Sequence, residues 1–509
     1  MPDRALPLAR SSSAPATPTL DGRRLLLAAL IVCTFLTALD IFVIGTAMPT
    51  IVAQLGGMSL YSWVFSTYLL ASTVTVPVYG RLADTYGRKP VFTFGTLLFL
   101  LGSVLCGFAQ DMTQLIACRV VQGLGAGAVF PVTLTIVGDE FSLEERAKTI
   151  GLFSATWGVA GIVGPLVGGF ITDYWGWRWI FFLNLPVGAA ALAMLWWQLH
   201  ERVERRERRV DWVGALILTT ALTILMIGLL AASEVGSDPT QVAGLFVLAT
   251  GLLLFCGWLG TRVAEPILPL PLLRRRLILV AGLCVFLTGI VNAGLGTFVP
   301  VFAQGVLGGT ATLAGATLIP TSFTWPLGSF LGGRLMLKLG YRAVALLGTL
   351  IIAAGSVGLA TLGQASPLWV VLLAVGIVGF GMGLSVANFT ISVQNAVPWD
   401  QRGAATSINQ FFRGIGQAIG VTALGAVFNL EMARQLNATG QDLTIANAVL
   451  DPLVRLRLDS AVLASARDIL AESTQAVFLI VLAAAVACVA MAALMPAGSP
   501  AEHAWKPPA

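Results

Sequence analysis

The chain has 509 residues, 57% of them hydrophobic and only 11% charged, with a net charge of +5. A soluble globular protein carries about a quarter charged residues. This composition therefore excludes a cytosolic enzyme, a nucleic-acid binder and a disordered chain, and makes lipid the main solvent.

Residues 1–22 come first, rich in Ser, Pro, Ala and Thr and without an apolar run. They read as a disordered tail and not as a signal peptide. A bilayer core about 30 Å thick needs roughly 20 apolar residues per crossing helix. Such runs fall at 24–48, 60–80, 91–109, 113–137, 148–171 and 178–198, then at 212–232 and 241–261. A last group falls at 278–304, 312–332, 343–362, 369–393, 404–428 and 474–495. The expected fold is an all-α integral membrane protein of about 14 spans. It divides into a six-helix bundle over 23–199, a linker 200–211, a two-helix hairpin 212–262, a linker 263–277 and a second six-helix bundle 278–496. The second bundle contains a long external loop at 429–473, whose Arg and Asp content with spaced Leu, Val and Ala suggests an amphipathic helix on the outer surface, and residues 497–509 form a C-terminal tail.

Lys and Arg set the orientation. Arg23, Arg24, Arg81, Arg88, Lys89, Arg146, Lys148, Arg262, Arg274, Arg334, Lys338, Arg342 and Arg402 all fall on one side of a fourteen-span chain. The short loops of the opposite side, near 49–59, 233–240, 305–311 and 363–368, hold none. Both termini are therefore expected in the cytoplasm, with the chain in the inner (plasma) membrane. The six Cys lie inside expected helices without CxxC spacing, and His200 and His503 lie in cytoplasmic segments. No disulfide, metal site or cofactor is expected. No GxxxxGK[ST] loop is present, so ATP is not the direct energy source.

The chain resembles itself at an offset of about 250 residues. Gly80-Arg81-Leu82-Ala83 recurs as Gly333-Arg334-Leu335-Met336, Gly87 recurs as Gly340, and Gly158 and Gly164 match Gly414 and Gly420. Two six-helix halves in parallel suggest a solute path between them near the midplane.

Asp40 is the one carboxylate that falls deep inside an expected helix, and a charge at depth is costly and usually functional. Arg413 is a cation at depth on span 13 with no acid at matching depth in its half. It could face an anionic substrate group, a lipid headgroup or helix-end carbonyls.

The turn Gly80-Arg81-Leu82-Ala83-Asp84-Thr85-Tyr86-Gly87-Arg88-Lys89 resembles the signature loop of the major facilitator superfamily. Leu39-Asp40 with Ala47-Met48-Pro49, and Arg119 through Gly127, resemble motifs of its fourteen-span drug:proton antiporters. Gly158 to Gly161, Gly164-Pro165 and Gly168-Gly169 resemble their fifth-span antiporter motif. Trp177 through Gly188 resembles their sixth-span entry. The resemblance runs from about residue 24 to 495 and implies the major facilitator fold. It also implies a gating role for Gly80, Asp84, Gly87, Arg88 and Lys89, and a leak seal at the span-5 glycines. A departure is Ile41-Phe42, where a Thr-containing continuation is common.

The resemblance also makes spans 1 and 4 adjacent. Asp40 then lies roughly 12 Å, and Arg119 roughly 9 Å, from the outer ends of their helices at 1.5 Å per residue. The two can pair, with Asp40 carrying the proton and Arg119 modulating it; a static buried ion pair is the alternative. Uncharged polar groups and aromatics at Thr37, Gln122, Trp157, Asn292, Trp325, Asn388 and Asn409, with Arg413, are candidates for an apolar substrate cavity, though each Thr or Asn serves equally as helix–helix glue. Trp63, Trp175, Trp177, Trp179 and Trp212 are expected as belt anchors at the interface.

The expected activity is proton-coupled export of small lipophilic or cationic molecules by a monomer. A dedicated exporter of one natural product or metabolite is the alternative, and an importer or a membrane-embedded enzyme fits less well. The expected partners are a small-molecule substrate, protons and the bilayer, with no nucleic acid.

Overall fold

The structure, a computed structural model, describes residues 20–140, 143–199, 211–232, 238–263, 270–398, 402–439 and 459–497. Most of the expected N-terminal tail, of the 200–211 linker and of the C-terminal tail lies outside the described residues, as do 264–269 and 440–458. In lipid every backbone polar group has to be satisfied within its own segment, so apolar stretches of this length become helices. The described residues are helical throughout, without a strand.

The first half holds α1 (Leu20–Leu55), α2 (Tyr61–Tyr86), α3 (Arg88–Gly107), α4 (Met112–Glu140), α5 (Leu143–Tyr174), α6 (Arg178–Phe182) and α7 (Asn184–Gln198). The hairpin is α8 (Trp212–Ala231) and α9 (Pro239–Gly260), followed by the short α10 (Leu270–Leu273). The second half holds α11 (Arg276–Val301), α12 (Ala311–Ala316), α13 (Ile319–Ala360), α14 (Leu368–Asn395), α15 (Arg402–Thr439) and α16 (Ser460–Ala493). Asp238 caps α9, accepting from Thr240 Oγ1 and the Thr240 backbone N–H, and these bonds hold its carboxyl below the usual range.

Eleven helical stretches among the described residues are long and apolar enough to cross a membrane. One of them, Ala311–Ala360, is 50 residues long. It doubles back at Gly340, whose φ of 81° breaks α13 into two arms. α2 and α5 have comparable length (26 and 32 residues) and are not among those eleven.

Gly340 occupies the place that the repeat assigns to Gly87, where φ is 99° between α2 and α3. Both are left-handed turns that a side chain would strain. The sequence repeat is thus also a repeat of backbone geometry. We call the end of the bundle that carries these two turns the near end.

Within the first half, α1 packs on α5 and α7, and α4 packs on α2 and α3. Within the second, α11 packs on α15 and α16, and α13 on α14 and α16. The halves meet where α2 lies along α15, α5 along α12 and the first arm of α13, and α1 along α11 and α12. α8 rests on both α2 and α15.

Two expectations need correction. Residues 429–439 continue α15 and 460–473 begin α16, so these helices outlast the spans expected to end at 428 and begin at 474, while the middle of the expected loop, 440–458, lies outside the described residues. Charged residues such as Glu431, Arg434 and Glu472 end a lipid-facing run but are good helix formers, so the helix outlasts the span. Trp177 is not a belt residue: it is buried, its Nε1 donates to Gln54 Oε1 at 3.0 Å, and the Arg178 guanidinium lies 4.3 Å from its ring centre. Trp175, Trp179 and Trp212 are exposed, and Trp63 is half-buried.

The α3–α4 crossing positions the site described next. A Cβ built on Gly102 would lie 2.4 Å from the Gln122 backbone nitrogen, so a larger residue must force the helices apart. Gly102→Leu is expected to cost about 1–3 kcal/mol by overpacking. A thermal unfolding midpoint in detergent equal to that of the parent protein would contradict this.

Candidate functional site: a buried ion pair and its hydrogen-bond shell

α1 brings Asp40 and α4 brings Arg119 to one point inside the first half. Arg119 Nη1 donates to Asp40 Oδ2 at 2.6 Å, and the residues are 1% (Arg119) and 5% (Asp40) exposed. Neither charge could stay in an apolar interior without compensation. The shell supplies it. Gln122, one turn along α4 from Arg119, donates from Nε2 to Asp40 Oδ1 at 2.8 Å and accepts from Arg119 Nη1 at 2.7 Å. Asn184, the first residue of α7, donates from Nδ2 to Asp40 Oδ1 at 3.4 Å and to Ser103 Oγ at 3.0 Å. Ser103 in turn donates to the Phe181 carbonyl at 2.8 Å. Arg119 Nε reaches the Val64 carbonyl at 3.4 Å, and its guanidinium lies 4.0 Å from the Tyr68 ring centre. The cation thus has an anion on one side and an aromatic face on another.

The depth arithmetic on Asp40 and Arg119 matches this geometry. The sequence reading placed Gln122 in a cavity; it is fully buried and belongs to the ion-pair shell instead. It missed Ser103, for which the sequence offers no signal, and Tyr68. Asn184 falls within the Trp177–Gly188 stretch, to which the sequence assigns no site role.

The turn residues divide. Gly87 makes the turn. Gly80 sits inside α2, with open space where a side chain would be. Lys89 Nζ donates to the carbonyls of Trp196 and Leu199 at 2.8 and 2.9 Å and lies over the Trp196 ring, which ties α3 to the end of α7. Arg88 is half-buried beside it, and the Asp84 side chain lies outside the described residues.

α5 runs through Pro165 as one helix and forms the seam. Gly164 and Gly168 lie against Phe42 and Thr46 of α1, Gly161 against Ser322, Gly158 near Pro326, and Gly169 against the backbone of Thr312. A Cβ on Gly169 would meet the Thr312 Cα at 2.5 Å. Small residues here let two helices from different halves touch along their backbones.

Hydrogen bonds between the halves gather away from the near end. Tyr61 Oη donates to the Thr297 carbonyl at 2.8 Å, Gln304 Nε2 to Thr50 Oγ1 at 3.1 Å, and Asn429 Nδ2 to the Ser59 carbonyl at 2.7 Å. Asp173 on α5 accepts from the Thr312 backbone N–H and hydroxyl at the start of α12.

The cavity candidates are dispersed. Thr37 bonds back to the carbonyl of Thr34 in its own helix. Asn388 is fully buried and donates to the Tyr341 carbonyl, so it binds α14 to α13 and does not line an open path. Trp157, Asn292 and Trp325 are half-buried on α5, α11 and α13. Asn409 is buried and Arg413 half-buried on α15. No group of three or more His, Cys, Asp or Glu among the described residues could hold a metal ion.

The family description "Major Facilitator Superfamily" matches residues 30–421. The chain is 37% identical over 409 residues to "Multidrug transporter protein MdtP" of Bacillus subtilis (strain 168), covering 80% of this chain and 75% of that one. It is 32% identical over 426 residues to "Acurin A biosynthesis cluster MFS-type transporter" of Aspergillus aculeatus, covering 81% and 76%. Among solved structures it is similar to a bacterial homologue of the human lysosomal transporter Spinster in an inward-facing, unoccupied conformation, with a TM-score of 0.68. That match covers 96% of this chain and all of the other at 18% identity, and shows the fold alone.

The Asp40–Arg119 contact can be tested as a pair. Arg119→Ala leaves the carboxylate with amide partners only, and loss of one partner of a buried pair costs about 3–5 kcal/mol. The double variant Asp40→Asn/Arg119→Ala is expected to be less destabilised than the sum of the single variants, by about 0.5–3 kcal/mol. Thermal unfolding of the four proteins in nanodiscs measures this. Strict additivity would mean that the two groups do not interact.

Proposed function

The chain belongs to the major facilitator superfamily, and on that premise we propose that it is a proton-driven exporter of small lipophilic or cationic molecules. It is a multi-pass membrane transporter and not an enzyme. The observation that carries the proposal is the buried Asp40 carboxylate, the only acid that the described residues hold inside the bundle core in contact with a cation.

In this reading Asp40 takes and releases the transported proton. Deprotonated, it is clamped by Arg119, Gln122 and Asn184, and α1, α4 and α7 are drawn together. Protonated, it loses the charge that holds Arg119, and the guanidinium keeps the Val64 carbonyl, Gln122 and the Tyr68 face as partners. Two packings of one bundle with different charge distributions form a bistable element that a proton can bias. The seam between α5 and the second half, with its glycines in backbone contact, keeps the bundle tight to ions while it rocks.

We further assign fourteen crossings, counting α2, α5 and each arm of α13 as spans, with the near end and both termini cytoplasmic in the plasma membrane. The positive-inside distribution of Lys and Arg supports that orientation. The domain limits follow: bundles at 23–199 and 278–496 with the hairpin 212–262 between them, acting as a monomer. The Bacillus relative, by its name a multidrug transporter, favours a broad substrate range. The Aspergillus relative, named for a biosynthesis cluster, favours a dedicated exporter of one natural product as the second reading.

Everted vesicles test the coupling. With an imposed pH gradient, the parent protein is expected to accumulate a lipophilic cation such as ethidium, and a protonophore to abolish accumulation. Asp40→Asn is expected to lose uphill accumulation while still equilibrating the dye down its own gradient. Uphill transport by Asp40→Asn would sink the assignment of Asp40 as proton carrier.

A further inference from the structure

Arg413 lies eleven positions along α15 from Arg402, roughly 16 Å into the bundle at 1.5 Å per residue. The opposite side of α15 is spoken for: Phe411, Ile415 and Ile419 pack into the cluster formed with Leu218, Leu222 and Met226 of α8. Positions two apart on a helix diverge by about 200°, so Arg413 points away from α8. Its backbone is pinned, because a Cβ on Gly289 of α11 would lie 2.7 Å from the Arg413 carbonyl oxygen.

Among the described residues Arg413 has no ion-pair or hydrogen-bond partner. One turn earlier, Asn409 is 3% exposed and its buried Nδ2 has no partner either. Residues four apart share one helix face, so two unsatisfied donor groups stand side by side.

Among the described side chains the surrounding helices offer no anion; that of Asp84, eleven positions along α2 from the Thr73 that packs against Gly414, is not one of them. α11 and α14 contain no Asp or Glu. On α16, Asp468 and Glu472 are engaged by Gln364 and Gln435. Gln435 is 22 positions along α15 from Arg413, roughly 33 Å away. Asp40 is held by Arg119. An ionisable residue inside a membrane span is costly, and faces the bundle interior or a cavity where it marks a substrate or ion path.

We propose that Asn409 and Arg413 form a subsite for an oxyanion, filled by the carboxylate of a transported solute. The guanidinium presents a planar fork of N–H groups that matches two carboxylate oxygens, and the Asn409 amide adds a further donor. The phosphate of a lipid headgroup has the same chemistry and is the competing source. The identification of the solute rests on the transporter reading; the existence of the site does not. It adds solutes bearing a carboxylate, zwitterions included, to the lipophilic cations already assigned.

The test uses the full chain in nanodiscs and two dyes that differ at one group, a rhodamine free acid and its methyl ester. Binding is read by fluorescence polarisation, in phosphatidylcholine alone and with phosphatidylglycerol added. Arg413→Gln is expected to weaken the free acid by about tenfold or more, the loss of a charge-assisted hydrogen bond. The same variant should leave the ester within about twofold, and Arg413→Lys and Asn409→Ala should fall between. Phosphatidylglycerol that competes with the free acid on the parent protein but not on Arg413→Gln assigns the headgroup as occupant; no competition assigns the solute carboxylate. Equal affinity of the parent and Arg413→Gln for the free acid in both lipids overturns the site. So does an equal loss for both dyes, which would mark Arg413 as structural. Failure of proton-driven transport with this binding intact counts against the exporter and leaves the site standing.

Discussion

Asp40 and Arg119 stand 2.6 Å apart in a bundle whose other buried side chains, among the described residues, are uncharged and mostly apolar. Charges in such surroundings persist only when each lone pair and N–H finds a partner. Meeting that demand recruits most of the first half. α1 and α4 supply the pair, α2 the Val64 carbonyl and the Tyr68 ring, α3 Ser103, α6 the Phe181 carbonyl, and α7 Asn184. The helices are thereby keyed to one another by a polar centre, where an all-Leu interior would leave their rotations free. Any event that alters the charge of Asp40 is felt by all of these helices at once.

α5 is absent from that network and has a different task. Its contacts are close approaches through small residues, to α1 on one side and to α12 and α13 on the other, with one carboxylate tie from Asp173 to Thr312 at the end away from the near end. A helix held by shape can slide where one held by charge cannot. In the proposed mechanism this divides the labour: the polar centre stiffens one half internally, and the glycine seam is where that half moves against the other.

Much of this was legible because the periodicities involved are local. Counting residues from helix ends at a fixed rise placed Asp40 and Arg119 at one depth, and the repeat of Gly87 at Gly340 foretold two matching turns. The partners were not legible for a physical reason. Ser103 and Gln122 look like any polar residue on a membrane helix, and only the azimuth of each helix decides whether such a group meets an ion or a carbonyl. Azimuth is set by crossings such as Gly102 against Gln122, which are tertiary facts. Helix ends were misjudged at 429–439 and 460–473 because polarity marks where lipid stops, whereas helix propensity continues into water. Trp177 shows the same limit: its position near an interface was clear, its inward orientation was not.

The hairpin gives the molecule a handedness that its internal repeat lacks. α8 lies across the junction of α2 and α15, in contact with Leu70 and Val74 on one side and Ala418 on the other. No described helix covers the other junction, between α5 and α13. There, Leu166 and Phe170 of α5 and Phe323, Leu327 and Phe330 of α13 are exposed, a row of apolar side chains turned to acyl chains. One flank of the moving joint is thus lined by protein and the other by lipid. If the halves rock as proposed, that motion repacks side chains on the first flank and rearranges bilayer on the second.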